Sequence, residues 1–70
     1  MAYYTLLIRE ASFDPWEIAF GDYEKECVQG ELEDYRDHDY KAKNLRIVKT
    51  RTARQSEIDT ILRKLNHERL

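Results

Sequence analysis

Apolar and polar positions recur along this chain with two different periods, and each change of period marks a new element. Tyr3 to Arg9 is rich in aromatic and β-branched residues and is apolar on both alternations: Tyr4, Leu6 and Ile8 fall on one face, Tyr3, Thr5 and Leu7 on the other. Such a run predicts a strand that is covered on both sides or central in its sheet. Asp14-Pro15 then supplies turn chemistry, because proline presets φ and aspartate bonds its own backbone. Trp16, Ile18 and Phe20 alternate with Glu17 and Ala19, which predicts a half-buried second strand in an antiparallel hairpin with the first. Leu45 to Thr50 reads as a third strand, with Leu45 and Ile47 inward and Arg46 outward; Val48 on the outer alternation implies partial cover there too.

Helical spacing fills the two remaining stretches. Gly21-Asp22 marks the first switch, with Asp22 as N-cap and Glu24 in the first turn, where a carboxylate suits the helix dipole. Val28, Leu32 and Tyr35 follow at i, i+4, i+7, flanked by Cys27 on an otherwise acidic helix. Gly30 inside it costs about 1 kcal/mol relative to alanine, and so either admits close packing on the sheet or weakens the helix. The helix is predicted to end within Asp37-His38-Asp39-Tyr40. Ile58, Ile61, Leu62 and Leu65 define the second helix, with Ser56 and Asp59, or Thr52 and Gln55, as a capping box. The order β-β-α-β-α predicts an α+β fold over 1–70 as one domain: a small three-stranded antiparallel sheet, first strand central, with two helices on one face.

Composition narrows this picture. A chain of 70 residues buries only about 60% of its unfolded surface. Its single cysteine excludes an intramolecular disulfide and points to a reducing compartment or to indifference about redox state. Without disulfide or metal staples, such a core is either very well packed or shared with a second copy, so a homodimer is an expectation. The N-terminal apolar run stops at Arg9 and lacks a positive n-region, which fits neither a signal peptide nor a membrane span and places the chain in the cytoplasm.

Charge is unevenly spread. Glu10 to Tyr40 carries eleven acidic residues against Lys25 and Arg36, whereas Lys41 to Ser56 carries six bases and no acid, beneath a net charge of −2. Two charged surfaces follow. Regularly spaced carboxylates on the first helix (Glu24, Glu31 and Asp34) could receive a basic partner or imitate a phosphate backbone, or simply face solvent. Tyr40, Lys43, Arg46, Lys49 and Arg51 could contact nucleic acid through phosphates and a stacked base, although a pI of about 5.6 is far from a basic footprint. Pairing with the acidic helix and protection of a sheet edge by charge explain the same residues. If both helices cover one face, the other exposes Tyr3, Thr5, Leu7 and Val48, an apolar patch suited to self-association.

No catalytic constellation is legible. His38 and His67 lie outside any ligand spacing, and a zinc site would need carboxylates at unspecified positions. Cys27 sits among carboxylates that oppose its ionisation, which suits a small residue at the core's edge rather than a nucleophile. Ser12 and Ser56 lack a nucleophile-elbow setting, and Gly21 and Gly30 are too few for a phosphate-cradling loop. Neither an enzyme, a cofactor, a metal nor a small-molecule substrate is expected.

The segments Ala2-Tyr3-Tyr4-Thr5-Leu6-Leu7-Ile8-Arg9, Phe20-Gly21-Asp22-Tyr23, Glu33-Asp34-Tyr35-Arg36-Asp37 and Arg46-Ile47-Val48-Lys49-Thr50 together resemble small uncharacterised proteins encoded by phages and prophages. The resemblance implies an accessory protein in the cytoplasm of a bacterial host, acting by binding a host or phage macromolecule. It brings no catalytic residues. The expected function is a non-enzymatic protein-binding module, using the acidic helix or self-association, with a small nucleic-acid-binding protein as the alternative.

Overall fold

In the computed structural model, which describes residues 2–68, the elements follow the order β1 (Tyr3–Ile8), β2 (Glu17–Asp22), α1 (Lys25–Asp37), a short 3-10 turn (Ala42–Asn44), β3 (Leu45–Thr50) and α2 (Gln55–Glu68). The fold is α+β: an antiparallel three-stranded sheet in the order β2-β1-β3, with two helices. β1 is central, as its two-sided apolar pattern requires. Leu6 pairs with Phe20 on one side and Ile47 on the other, while Thr5 faces Gly21 and Val48.

Burial shows how β1 is covered. Thr5, Leu6 and Leu7, which alternate across the sheet, are 1%, 0% and 0% exposed, so both faces of the strand are closed. Val28 of α1 and Ile58 of α2 complete the core with Trp16 and Leu45. The open apolar face of Tyr3, Thr5, Leu7 and Val48 therefore does not exist. Thr5 and Leu7 are core residues, and Tyr3 and Val48 are half-buried. α1 packs across all three strands, chiefly β1 and β2.

β2 departs from simple alternation. Leu6 pairs with Phe20 and the next residue, Leu7, pairs with Ile18, so Ala19 is an extra residue in a β-bulge. Strict period two puts Ile18 and Phe20 on one face; the bulge sends them to opposite faces, and Ile18 is left 40% exposed on an edge strand. Gly21 and Asp22 belong to this strand rather than to a turn.

The helix ends also differ in detail from their sequence signals. Glu24 occupies the N-cap position of α1 without a side-chain capping bond, while the Asp22 carboxylate accepts the Glu24 N–H at 2.9 Å in an Asx turn just ahead of the helix. The C-terminus is a Schellman motif. Asp39 adopts φ 72°, the Asp39 N–H donates to the Arg36 carbonyl and the Tyr40 N–H to the Tyr35 carbonyl. The rings of Tyr35 and Tyr40 meet edge to face at 5.2 Å, the apolar contact that accompanies this motif. At α2, neither capping box forms. The Thr52 hydroxyl accepts the Arg54 N–H at 3.3 Å and donates to the Glu57 carboxylate at 2.7 Å.

A hub at one end of the sheet ties four segments together. The Arg9 guanidinium lies 4.3 Å from the Trp16 ring centre and donates through Nε to Asn44 Oδ1 and through Nη2 to the Lys43 carbonyl, each at 3.1 Å. Asn44 is 4% exposed, and its amide donates to the Glu10 carbonyl. Trp16 donates its backbone N–H to Asn66 Oδ1 at 2.6 Å, which fastens the far turn of α2 to the start of β2. Arg, rather than Lys, suits this place because its planar fork can stack and donate in two directions at once.

Candidate functional site

The surface that gathers the most candidate residues lies at the C-terminal end of α1. Glu24, Cys27, Glu31, Asp34 and His38 recur at helical spacing, so they form one line beside the core-facing stripe of Val28, Leu32 and Tyr35. At the end of that line, Glu31, Asp34, Tyr35, His38 and Tyr40 surround a surface depression of about 300 Å³. The Schellman turn creates it. By reversing the chain at Asp39 it brings Tyr40 back against Tyr35, and the edge-to-face pair becomes its wall. His38 Nδ1 lies 2.7 Å from the Asp34 carbonyl, so Nδ1 carries the proton and donates; in the neutral ring Nε2 remains an acceptor.

Tyr40 also lines a larger groove of about 470 Å³, formed by residues of the β1–β2 loop and the α1–β3 connection. Phe13, Tyr40, Lys41 and Lys43 line it, together with Glu10 and Asp39. Phe13 is 77% exposed, near the tip of a turn in which the Asp14 N–H donates to the Ala11 carbonyl at 3.0 Å. Tyr40 and His38 border both depressions.

The structure thus joins Glu31, Asp34, Tyr40 and Lys43, which the sequence assigned to two different surfaces. Glu24 stands apart, at the opposite end of α1. The basic candidates are dispersed. Arg46 is opposite Leu7 and Lys49 opposite Tyr4, so they project from opposite faces of the sheet. Lys43 and Arg46 share a shallow depression with Arg9, Trp16 and Leu65, whereas Lys49 and Arg51 border another, with Glu57 and Ile61. A single basic stripe along β3 is not formed.

Cys27 is exposed, with its sulfur 3.7 Å from Glu24 Oε2. Partial desolvation of the sulfur is the largest influence raising its pKa; the charges of Asp22 and Glu24, the hydrogen bond to Glu24 and the charge of Glu26 all push it further the same way. Among the described residues, no group of three or more His, Cys, Asp or Glu side chains is placed to hold a metal ion, and no helix is long and apolar enough to cross a membrane. No family model matches the chain, and neither does any curated protein or solved structure.

Phe13 and His38 are among the residues of this region that the pattern of the sequence did not single out as binding residues. Phe13 belongs to neither strand period and stands beside Asp14-Pro15. An aromatic residue held on a turn between two strands was the available signal.

Proposed function

We propose that this chain is a non-enzymatic protein-binding module, of the accessory kind its phage-like segments suggest, and that helix α1 receives a basic partner. The observation that carries this reading is the pairing of Glu31 and Asp34 with the Tyr35–Tyr40 ring pair around one depression. A cation entering there meets carboxylates and aromatic faces together. Each cation–π contact contributes about 0.5–2 kcal/mol, more as water is excluded. The carboxylates add attraction that a neutral side chain would not feel, and they reject acidic segments.

The test is binding of a lysine- and arginine-rich peptide, with an acidic peptide of equal length as control, measured by fluorescence anisotropy near physiological salt. The wild-type chain should bind the basic peptide, and the double reversal Glu31→Lys with Asp34→Lys should weaken it by about tenfold or more while the thermal midpoint stays in place. Equal binding by the two proteins would leave the acidic face of α1 as a solvated surface. Binding to a single-stranded oligonucleotide with a steep salt dependence would instead favour nucleic-acid contact through Lys43, Arg46, Lys49 and Arg51.

A further inference from the structure

We infer that the outer edge of β3 takes up an extended, acidic segment of a partner protein as a fourth strand of the sheet. This is a second surface, separate from the basic-partner site on α1, and it does not rest on that reading.

The hydrogen-bond phase of β3 shows what its edge offers. The Arg9 N–H donates to the Asn44 carbonyl at 3.1 Å, and the register carries that pairing on as Leu7–Arg46, Thr5–Val48 and Tyr3–Thr50. The backbone groups of Arg46, Val48 and Thr50 therefore face β1, and those of Leu45, Ile47 and Lys49 face away from it. β3 ends the sheet on that side. The Leu45 N–H is taken by the Ala42 carbonyl. Among the described residues, the Leu45 carbonyl and both backbone groups of Ile47 and Lys49 are left unpaired, in the alternation that an added strand matches. The opposite edge is different. β2 is broken by the bulge at Ala19, a common way of blunting a sheet edge, whereas β3 pairs through all 6 of its residues without irregularity.

Charge decides the occupant. Arg46 and Lys49 are exposed and project from opposite faces of the sheet, so their charges flank the edge on both sides. Lys43 and Arg51 extend the same sign beyond the two ends of the strand. Among the described residues no carboxylate pairs with Arg46, Lys49 or Arg51. Glu57 borders a depression with Lys49 and Arg51, but its carboxylate accepts from the Thr52 hydroxyl. A second copy of β3 laid antiparallel about Ile47 would set Arg51 opposite Lys43 at each end, and like charges directly opposite are unfavourable. The charges that turn away another β3 select a strand bearing carboxylates. Arg46 and Lys49 are three positions apart, so the matching acids stand three apart in the added strand, one on each face. The residues between those acids lie against Ile47 and Val48. Dispersal of the bases over two faces, which denies nucleic acid a continuous stripe, is what recognition of a strand needs.

Peptides with altered backbones separate strand addition from plain attraction of charge. The parent is a short capped peptide with two glutamates three positions apart, valine and isoleucine between them and threonine elsewhere. Two derivatives are N-methylated, each on one of the two alternating sets of amides, so only one of them loses the donors that face β3. In calorimetric titration of the full chain, the parent and one derivative should bind alike, and the other about tenfold or more weakly. The parent should also slow hydrogen exchange at the Ile47 and Lys49 amides, which face outward, and leave Arg46 and Val48 unchanged. Arg46→Glu with Lys49→Glu should abolish binding; both side chains are exposed, and an unchanged circular dichroism spectrum confirms the fold. The inference is overturned if the parent does not bind, if all three peptides bind alike, or if the double variant binds as the wild type does. A single-stranded oligonucleotide that binds more tightly than the parent would assign these bases to nucleic acid instead. None of these results touches the basic-peptide test of α1, which stands or falls separately.

Discussion

The ring of Tyr3 in β1 lies directly over Gly21 in β2. A Cβ built on Gly21 would stand 2.8 Å from Tyr3 Cζ and closer still to its hydroxyl. The ring also meets Tyr23, edge to face at 4.9 Å. Glycine is present here because the neighbouring side chain needs the room, not because the backbone needs positive φ. Gly21→Ala must push the Tyr3 ring aside and break its contact with Tyr23, a loss of about 0.5–1.5 kcal/mol for the aromatic pair before any strain. Urea denaturation should show this cost in the wild type and little of it in a Tyr3→Ala background. An equal cost in both backgrounds would place the strain in the backbone instead.

Gly30 should behave in the opposite way. It is exposed in the middle of α1, and a Cβ there would meet nothing within 4 Å. It provides no close approach to the sheet, so only the unfavourable half of its sequence reading applies. Gly30→Ala should stabilise the protein by about 1 kcal/mol through helix propensity, read as a higher denaturant midpoint with an unchanged slope. Loss of stability would show that α1 carries a constraint on that face which the packing does not account for.

How far the fold could be read in advance depended on whether a residue's role was local. β3 coincides with its predicted limits, Leu45 to Thr50, because its pattern and its flanks agree. α1 and α2 announce themselves through Val28-Leu32-Tyr35 and Ile58-Ile61-Leu62-Leu65. What could not be read was non-local. The bulge at Ala19 depends on the register between β1 and β2, and it alone decides which way Ile18 points. The Arg9–Trp16–Asn44 hub and its tie to Asn66 join residues up to 50 positions apart, and no spacing rule foretells them. The candidate site has the same character. Glu31 and Asp34 were visible as an acidic face, but their neighbours Tyr40 and Phe13 arrive through a helix cap and a hairpin turn. Thr5 and Leu7 failed as an interface for a simpler reason: an apolar alternation states that a face is covered, not by what.

Thr5 offers a direct test of that cover. It is 1% exposed, and its hydroxyl is buried without a hydrogen-bond partner. An unsatisfied buried polar group costs about 1–3 kcal/mol, and valine has nearly the same shape with a higher preference for strands. Thr5→Val should therefore raise the thermal midpoint by several degrees, at about 4–8 °C per kcal/mol for a chain of this size. A lower midpoint would mean that the hydroxyl has a partner in solution, such as a buried water.

Arg9→Lys tests the hub. Lysine keeps the charge but loses the fork that donates to Asn44 Oδ1 and the Lys43 carbonyl while stacking on Trp16. Each lost hydrogen bond is worth about 0.5–1.5 kcal/mol, and Asn44, being buried, cannot turn to water for a replacement. A destabilisation of about 1–2 kcal/mol is expected in urea titration, with the tryptophan emission shifting as its stacked partner leaves. A variant as stable as the wild type would reduce the arrangement to a surface contact.

Cys27 makes a prediction in pH rather than in stability. Its pKa is raised by desolvation of the sulfur first, and by Asp22, Glu24 and Glu26 after that. A raised pKa means that less thiolate is present at any given pH, and only the thiolate attacks a disulfide. The rate of reaction with an aromatic disulfide reagent should therefore titrate with a midpoint above that of a free cysteine. Glu24→Gln removes a neighbouring charge, and Glu24 makes no capping bond whose loss would disturb the helix. The variant should react faster at neutral pH, with its midpoint lowered toward that of a free cysteine, because both the charge of Glu24 and its hydrogen bond to the thiol raise the pKa. Added salt should move the wild-type midpoint the same way, because exposed charges are screened over about 8–10 Å at physiological ionic strength. If neither the charge change nor the salt moves the midpoint, the carboxylates at the start of α1 do not act on the thiol, and its desolvation alone accounts for the shift.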